Sequence, residues 1–186
     1  MKINLLLLFL GLTLFSAACR NKNQKNLVYI EQQELSKGIR NDSLFMGLYL
    51  GMTRMDFLNH CWNMNKQNLF TEGGNKTVVY QIGKLYSDYS IQMNFYPRFK
   101  DDKIIQLPVQ FTYKVLDPYN PNMKTEKLLA EVRMLMEKWF GGKFFLTDMP
   151  TGGKGYAQVN GNRRILILVE REFEVMVIFT DLTERQ

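Results

Sequence analysis

This chain of 186 residues holds one histidine and two cysteines, few of the imidazole and thiol groups that bind zinc or serve acid–base and thiol catalysis. An enzyme needs a nucleophile, base or metal held by oriented partners, and zinc wants three or four ligands. No Cys-x-x-Cys or His-x-x-x-His spacing reinforces His60. Asp56 and His60 stand at i and i+4, on one helix face, but His60 and Cys61 are sequence neighbours and point about 100° apart on a helix. The glycine pairs at 73–74 and 152–153 lack the Gly-Lys-Ser/Thr context of a phosphate loop and read as turns. Glu170, Glu172 and Glu174 alternate beside a turn, the pattern of a solvated strand face. No catalytic residue, metal ligand or cofactor is therefore expected. Arginine-rich runs are also missing, so the formal charge of +6 does not point to nucleic acid. The longest apolar run is too short for a comfortable membrane span, which takes roughly 20 residues.

That run is informative for another reason. Met1-Lys2 gives a basic start, Ile3 to Phe15 is almost wholly apolar, and Ser16-Ala17-Ala18 places small residues before Cys19. The order is that of a secretory signal peptide covering 1–18, cut before Cys19. It resembles a bacterial lipoprotein signal, although Ser16 stands at −3 where leucine is usual, and Leu14 stands at −5. The resemblance implies diacylglycerol on the Cys19 thiol, a further acyl chain such as palmitate on the new amino terminus, and a place in the envelope of a Gram-negative bacterium, facing the periplasm. Each buried methylene contributes about 0.8 kcal/mol, and two or more chains make the anchor stable. Arg20, Lys22 and Lys25 follow at once, where anionic headgroups attract them. Ordinary signal peptidase would cut the same bond. Cys19 could then pair with Cys61 in an oxidising compartment; with Cys19 lipidated, Cys61 is a free thiol.

A hydrophobic fraction of 46% and an aromatic fraction of 13% provide a core and exclude wholesale disorder. Residues 19–43 are rich in lysine and asparagine, with Leu27-Val28-Tyr29-Ile30 as the one apolar island, and read as a polar tether with a short strand at 27–31. Asp42-Ser43-Leu44 resembles the Asp-Ser/Thr-apolar O-glycosylation signal of some Gram-negative bacteria, which makes Ser43 a candidate acceptor. Thr53 suits a helix N-cap, with Asp56 closing a capping box. Phe57, Leu58, Cys61 and Trp62 then form one apolar face, and the helix is expected to end near Asn65. Strands are expected at 77–82, 89–95 and 103–115, the last an edge or bulged strand because of Pro108.

After a turn-rich break at 117–122, a stronger stripe runs through Leu128, Leu129, Val132, Leu135, Met136, Trp139 and Phe140. Thr125 is placed to cap this helix and Gly141-Gly142 to end it. Asn160-Gly161 predicts a type I′ hairpin joining 155–159 to 163–169, followed by a strand at 173–181. The class is thus α+β, with a first half at 44–116 and a second at 117–186, each a helix followed by an antiparallel meander. Lys66 and Lys143 each follow a tryptophan by four residues, and Val109-Gln110-Phe111-Thr112 matches Val177-Ile178-Phe179-Thr180. These agreements suggest an internal duplication; the alternative is two unrelated α+β halves.

At Gly51-Met52-Thr53, a Gly-Met-Thr turn entering a helix, the chain resembles the small SmpA/OmlA-like lipoproteins of outer-membrane assembly, which share a layout with β-lactamase-inhibitor-protein-like tandem repeats. The resemblance implies a module that binds other proteins and is not an enzyme. Aromatic and arginine side chains are enriched at binding hot spots, which singles out Phe95, Tyr96, Arg98, Phe99 and Tyr119. The expectation is a membrane-tethered module holding another envelope protein. An inhibitor-like or small-ligand-sequestering domain comes second, and an enzyme of unidentified class third.

Overall fold

Alternating polar and apolar residues over Ser90–Phe95 and Lys103–Tyr113 put every second side chain on one face of a strand, and those faces are buried here. The computed structural model describes residues 27–149 and 152–184; Cys19, the leader and the basic residues after it lie outside the described residues. The elements in chain order are α1 (Leu27–Ser36), α2 (Arg54–Lys66), β1 (Phe70–Glu72), β2 (Val78–Lys84), β3 (Ser90–Phe95), β4 (Arg98–Lys100), β5 (Lys103–Tyr113), α3 (Thr125–Phe140), β6 (Phe145–Asp148), β7 (Lys154–Asn160), β8 (Arg163–Arg171) and β9 (Glu174–Asp181). The class is α+β, with three α-helices and a nine-stranded antiparallel sheet among the described residues.

The sheet runs β1-β2-β3-β5-β9-β8-β7-β6, with β4 folded onto the start of β5. The last strands of the two halves, β5 and β9, meet at its centre, with Val109 opposite Val177. Ile91, Met93, Phe95, Val109, Phe111, Ile165, Ile167, Val177 and Phe179 form the main core with Phe57 of α2 and Leu128, Val132, Leu135 and Met136 of α3. Leu166 points the other way from Ile165 and Ile167, and joins Leu27 of α1, Met149 and Ala157 in a small second core on the opposite face. Pro108 is accommodated inside the central strand β5, opposite Ile178.

Several local expectations are revised. Residues 27–36 form a helix, not a tether with a strand. Glu-Gln-Gln-Glu-Leu are good helix formers, and Leu27 and Glu31, at i and i+4, are the residues that α1 buries. Asn160 pairs with Arg163, so the hairpin loop is Gly161–Asn162, one residue later than expected. Only Gly161 takes positive φ there (58°), the sign pattern of a type II′ turn. The slip lets Asn162 turn inward, where its Oδ1 accepts the Asn41 N–H at 2.6 Å and its Nδ2 donates to Asp42 Oδ1 at 2.8 Å. Thr53 does cap α2, accepting the Asp56 N–H at 3.1 Å, while its hydroxyl donates to the Asp56 carboxylate at 2.7 Å. Thr125 does not cap α3. Lys124 is the N-cap, and the Thr125 hydroxyl accepts the Phe173 N–H at 2.9 Å.

Candidate binding surface

The Gly51-Met52-Thr53 turn fixes where α2 begins. Gly51 (φ 82°) donates its N–H to the Ile104 carbonyl at 2.8 Å, and Ile104 returns a bond to the Met52 carbonyl at 2.9 Å. From this anchor α2 divides into two stripes. Phe57 is buried, edge-on to Tyr96 and Phe99, with Cys61 and Met64 packed against the same core. The second stripe, Met55–Leu58–Trp62 at i, i+3 and i+7, faces outward at 63%, 47% and 63% exposure. Leu58 and Trp62 are thus not core residues: helical geometry turns them away from the side that carries Phe57, Cys61 and Met64. A second apolar stripe beside Phe57–Cys61–Met64 was the signal available for this, and Met55 escaped it.

Between α2 and β1–β2 lies an apolar groove of about 450 Å³, walled by Leu58, Cys61, Trp62, Phe70, Val78 and Tyr96. Lys66 Nζ sits 5.2 Å from the centre of the Trp62 ring, a cation–π contact. Lys76 and Glu72 stand at the groove's other wall. Asn65 Nδ2 donates to the Phe70 carbonyl at 2.9 Å, which occupies part of the edge strand's free backbone.

Burial displaces the titration of two side chains packed in the main core, Cys61 and Tyr113. Burial pushes the Cys61 thiol up to about 11, so it is protonated and a poor nucleophile at neutral pH. His60 Nε2–H donates to the Met46 carbonyl at 2.7 Å, and its ring packs against Gly47, where a Cβ would come within 3.1 Å. The Tyr113 phenol is pushed up to about 12, by burial first and then by Glu131 and Tyr89. Among the described residues no group of three His, Cys, Asp or Glu side chains could hold a metal ion, and no helix is long and apolar enough to cross a membrane.

The aromatic residues singled out from the sequence fall in different places. Phe95 is 1% exposed, a core residue on the alternation of Ile91 and Met93. Tyr96 and Phe99 are half-buried against Phe57, Arg54 stacks over Phe99 at 4.1 Å, and Arg98 is exposed. Tyr119 is 95% exposed, beside a polar pocket of about 500 Å³ lined by Pro118, Thr125, Glu172 and Phe173. Arg98 pairs with Gln106 near the start of β5, whereas Tyr119 follows its end at Tyr113. Seven residues of strand put roughly 23 Å between those ends, so these residues do not make one surface. Ser43 is exposed, and its carbonyl accepts a bond from Arg163 Nη1.

No family model, curated protein or solved structure matches this chain.

Proposed function

We propose that this chain is a non-catalytic envelope lipoprotein, anchored through Cys19, that holds another protein against the outer face of α2. The observation that carries the reading is the exposed Met55–Leu58–Trp62 stripe flanking an apolar groove. Large apolar side chains clustered beside a concavity favour a partner over water, and a tryptophan in such a place has the character of a binding anchor. Lys66 and Lys76 form no ion pair among the described residues. The complementary occupant is a protein segment with apolar side chains for the groove and carboxylates for these two ammonium groups. The resemblance at Gly51-Met52-Thr53 points the same way, toward the SmpA/OmlA-like group.

The internal duplication belongs to this reading. Val109 and Val177, equivalent in the matched tetrapeptides, stand opposite each other where β5 meets β9, a register that supports this part of the proposal. Trp62 and Trp139 have diverged. The second stacks on Phe45 at 5.8 Å, while the first faces outward. A repeat that frees one tryptophan for binding accounts for the difference.

Two experiments test the proposal. Radioactive palmitate should label the protein, and globomycin should stop its maturation; unchanged maturation removes the anchor. A photo-crosslinking residue at position 58 in the full chain should give one discrete adduct in cells, with the crosslinked partner segment apolar and acidic. Trp62→Asp should abolish the adduct. A basic segment, or no adduct, overturns the binding surface.

A further inference from the structure

α1 stands apart from the other helices in how it is held. The main core contains nothing from it. Its buried residues are Leu27 and Glu31, one apolar side chain and one carboxylate. Glu31 Oε1 accepts from Arg164 Nη1 at 2.9 Å, and Arg164 Nη2 donates to the Thr180 hydroxyl at 3.2 Å. Beneath α1 lies more apolar surface than it supplies: Met149, Ala157 and Leu166 are buried, with Phe145, Val159 and Ile178 partly buried around them.

The C-terminal end of α1 is attached differently. Past Gly38 (φ 66°), residues 40–42 are tied into the β7–β8 hairpin and β9. Asn41 Nδ2 donates to Asn160 Oδ1 at 2.9 Å, and Arg40 pairs with Asp42 at 2.8 Å and Asp181 at 3.1 Å. Ile39 packs its carbonyl so close to Gly161 that a Cβ there would come within 2.2 Å. The chain is thus fastened at 40–42 by several side chains, held along 27–36 by Leu27, by the Glu31–Arg164 pair and by the Gly161 N–H donated to Glu34 Oε2 at 3.2 Å, and has a glycine between the two with open space around it.

We propose that α1 is a releasable strap. It swings about Gly38 as a unit and uncovers the outer face of β7–β9 while the sheet stays folded. Segments with few buried apolar contacts open at lower free energy than the core they cover. The buried ion pair favours an all-or-none release, because Glu31 and Arg164 are each costly to leave behind unpaired but are both rehydrated once the helix departs. In the closed position α1 occupies the β7–β9 face, so any ligand of that face must displace it. The strap is independent of the groove beside α2. The anchor reading bears only on the trigger, because a tether attached before Leu27 pulls on this end first.

Thiol labelling of the full chain tests the proposal. Ala157→Cys places a thiol under α1, and Ile167→Cys places one on the opposite face of β8, in the main core. With the label located by peptide mass, the thiol at 157 should react at least about tenfold faster than that at 167 under native conditions. Leu27→Ala should speed labelling at 157 further and leave that at 167 unchanged. Backbone hydrogen exchange of the unsubstituted chain gives the same reading without cysteines: α1 amides should exchange ahead of those of β8 and β9. Equal labelling rates, or α1 amides exchanging together with the central strands, would show α1 to be an integral part of the core and end the proposal.

Discussion

Replacing Arg164 by methionine asks what a buried ion pair contributes when one partner sits on α1. The Arg164 and Glu31 side chains are each 6% exposed and meet at 2.9 Å. The substitution takes the Arg164 guanidinium away from the buried Glu31 carboxylate, and removing one member of a buried pair costs about 3–5 kcal/mol. A ceiling applies, because Glu31 can escape into water by leaving with α1. The loss therefore cannot exceed the free energy that docks the helix, to which burying Leu27 adds about 1.5–3 kcal/mol. The expected outcome for Arg164→Met is a loss near 3 kcal/mol, a fall in melting temperature on the order of 10 °C for a domain of this size. Glu31→Met should cost a similar amount. The double variant puts two apolar side chains in the same place and should return close to the parent, because exchanging a buried pair for apolar residues is often neutral or stabilising. Equilibrium unfolding in urea, followed by tryptophan fluorescence, measures all four species. If the double variant loses the sum of the two single losses, the pair is not coupled and the reasoning about α1 fails with it.

Other positions give equally direct outcomes. Trp62→Ala should change stability by less than about 1 kcal/mol, since the ring is mostly in water, whereas Trp139→Ala should cost roughly 3 kcal/mol through lost packing on Phe45 and Phe140; denaturant titration separates them. Gly161→Ala should cost more than about 2 kcal/mol, combining the strain of positive φ with a collision against the Ile39 carbonyl. Gly38→Ala, with φ 66° and open space around its Cβ, should show the strain alone, about 1 kcal/mol. For Asp181, burial works to raise the pKa, but hydrogen bonds from Thr183 and the charge of Arg40 outweigh it and leave the carboxyl below its ordinary value. Its stabilising contribution is therefore complete above the unfolded-state carboxylate pKa and is lost as pH falls from there through the lowered one. Acid titration of stability should show Asp181→Asn flattening that fall; an unchanged slope refutes the assignment.

The sheet and α3 were legible because their periodicity is strong. Leu128, Val132, Leu135 and Met136 repeat at helical spacing and are buried as one stripe, and strict alternation placed β3 and β5. α1 was not legible, since its buried face holds a single leucine and a glutamate whose partner stands on a distant strand. No local pattern marks such a pair. The hairpin slipped by one residue for a similar reason. Asn160-Gly161 has the composition of a type I′ loop, but Asn162 gains bonds to Asn41 and Asp42 by entering the turn. The groove beside α2 was only partly legible. Of the aromatic run at 95–99, Tyr96 lines it, but strand alternation sends Phe95 inward, and the exposed tryptophan lies on the helix opposite.

The central seam has a consequence for biosynthesis. β5 acquires a partner on its other edge only when β9 arrives, and β9 is the last strand among the described residues. Until then an eleven-residue strand, apolar on its inner side, has no partner along most of one edge, the condition under which nascent chains pair with one another instead of with themselves. A stop codon just after Arg171 would remove few residues but leave that edge permanently open, and the shortened product should aggregate rather than persist as a smaller folded unit.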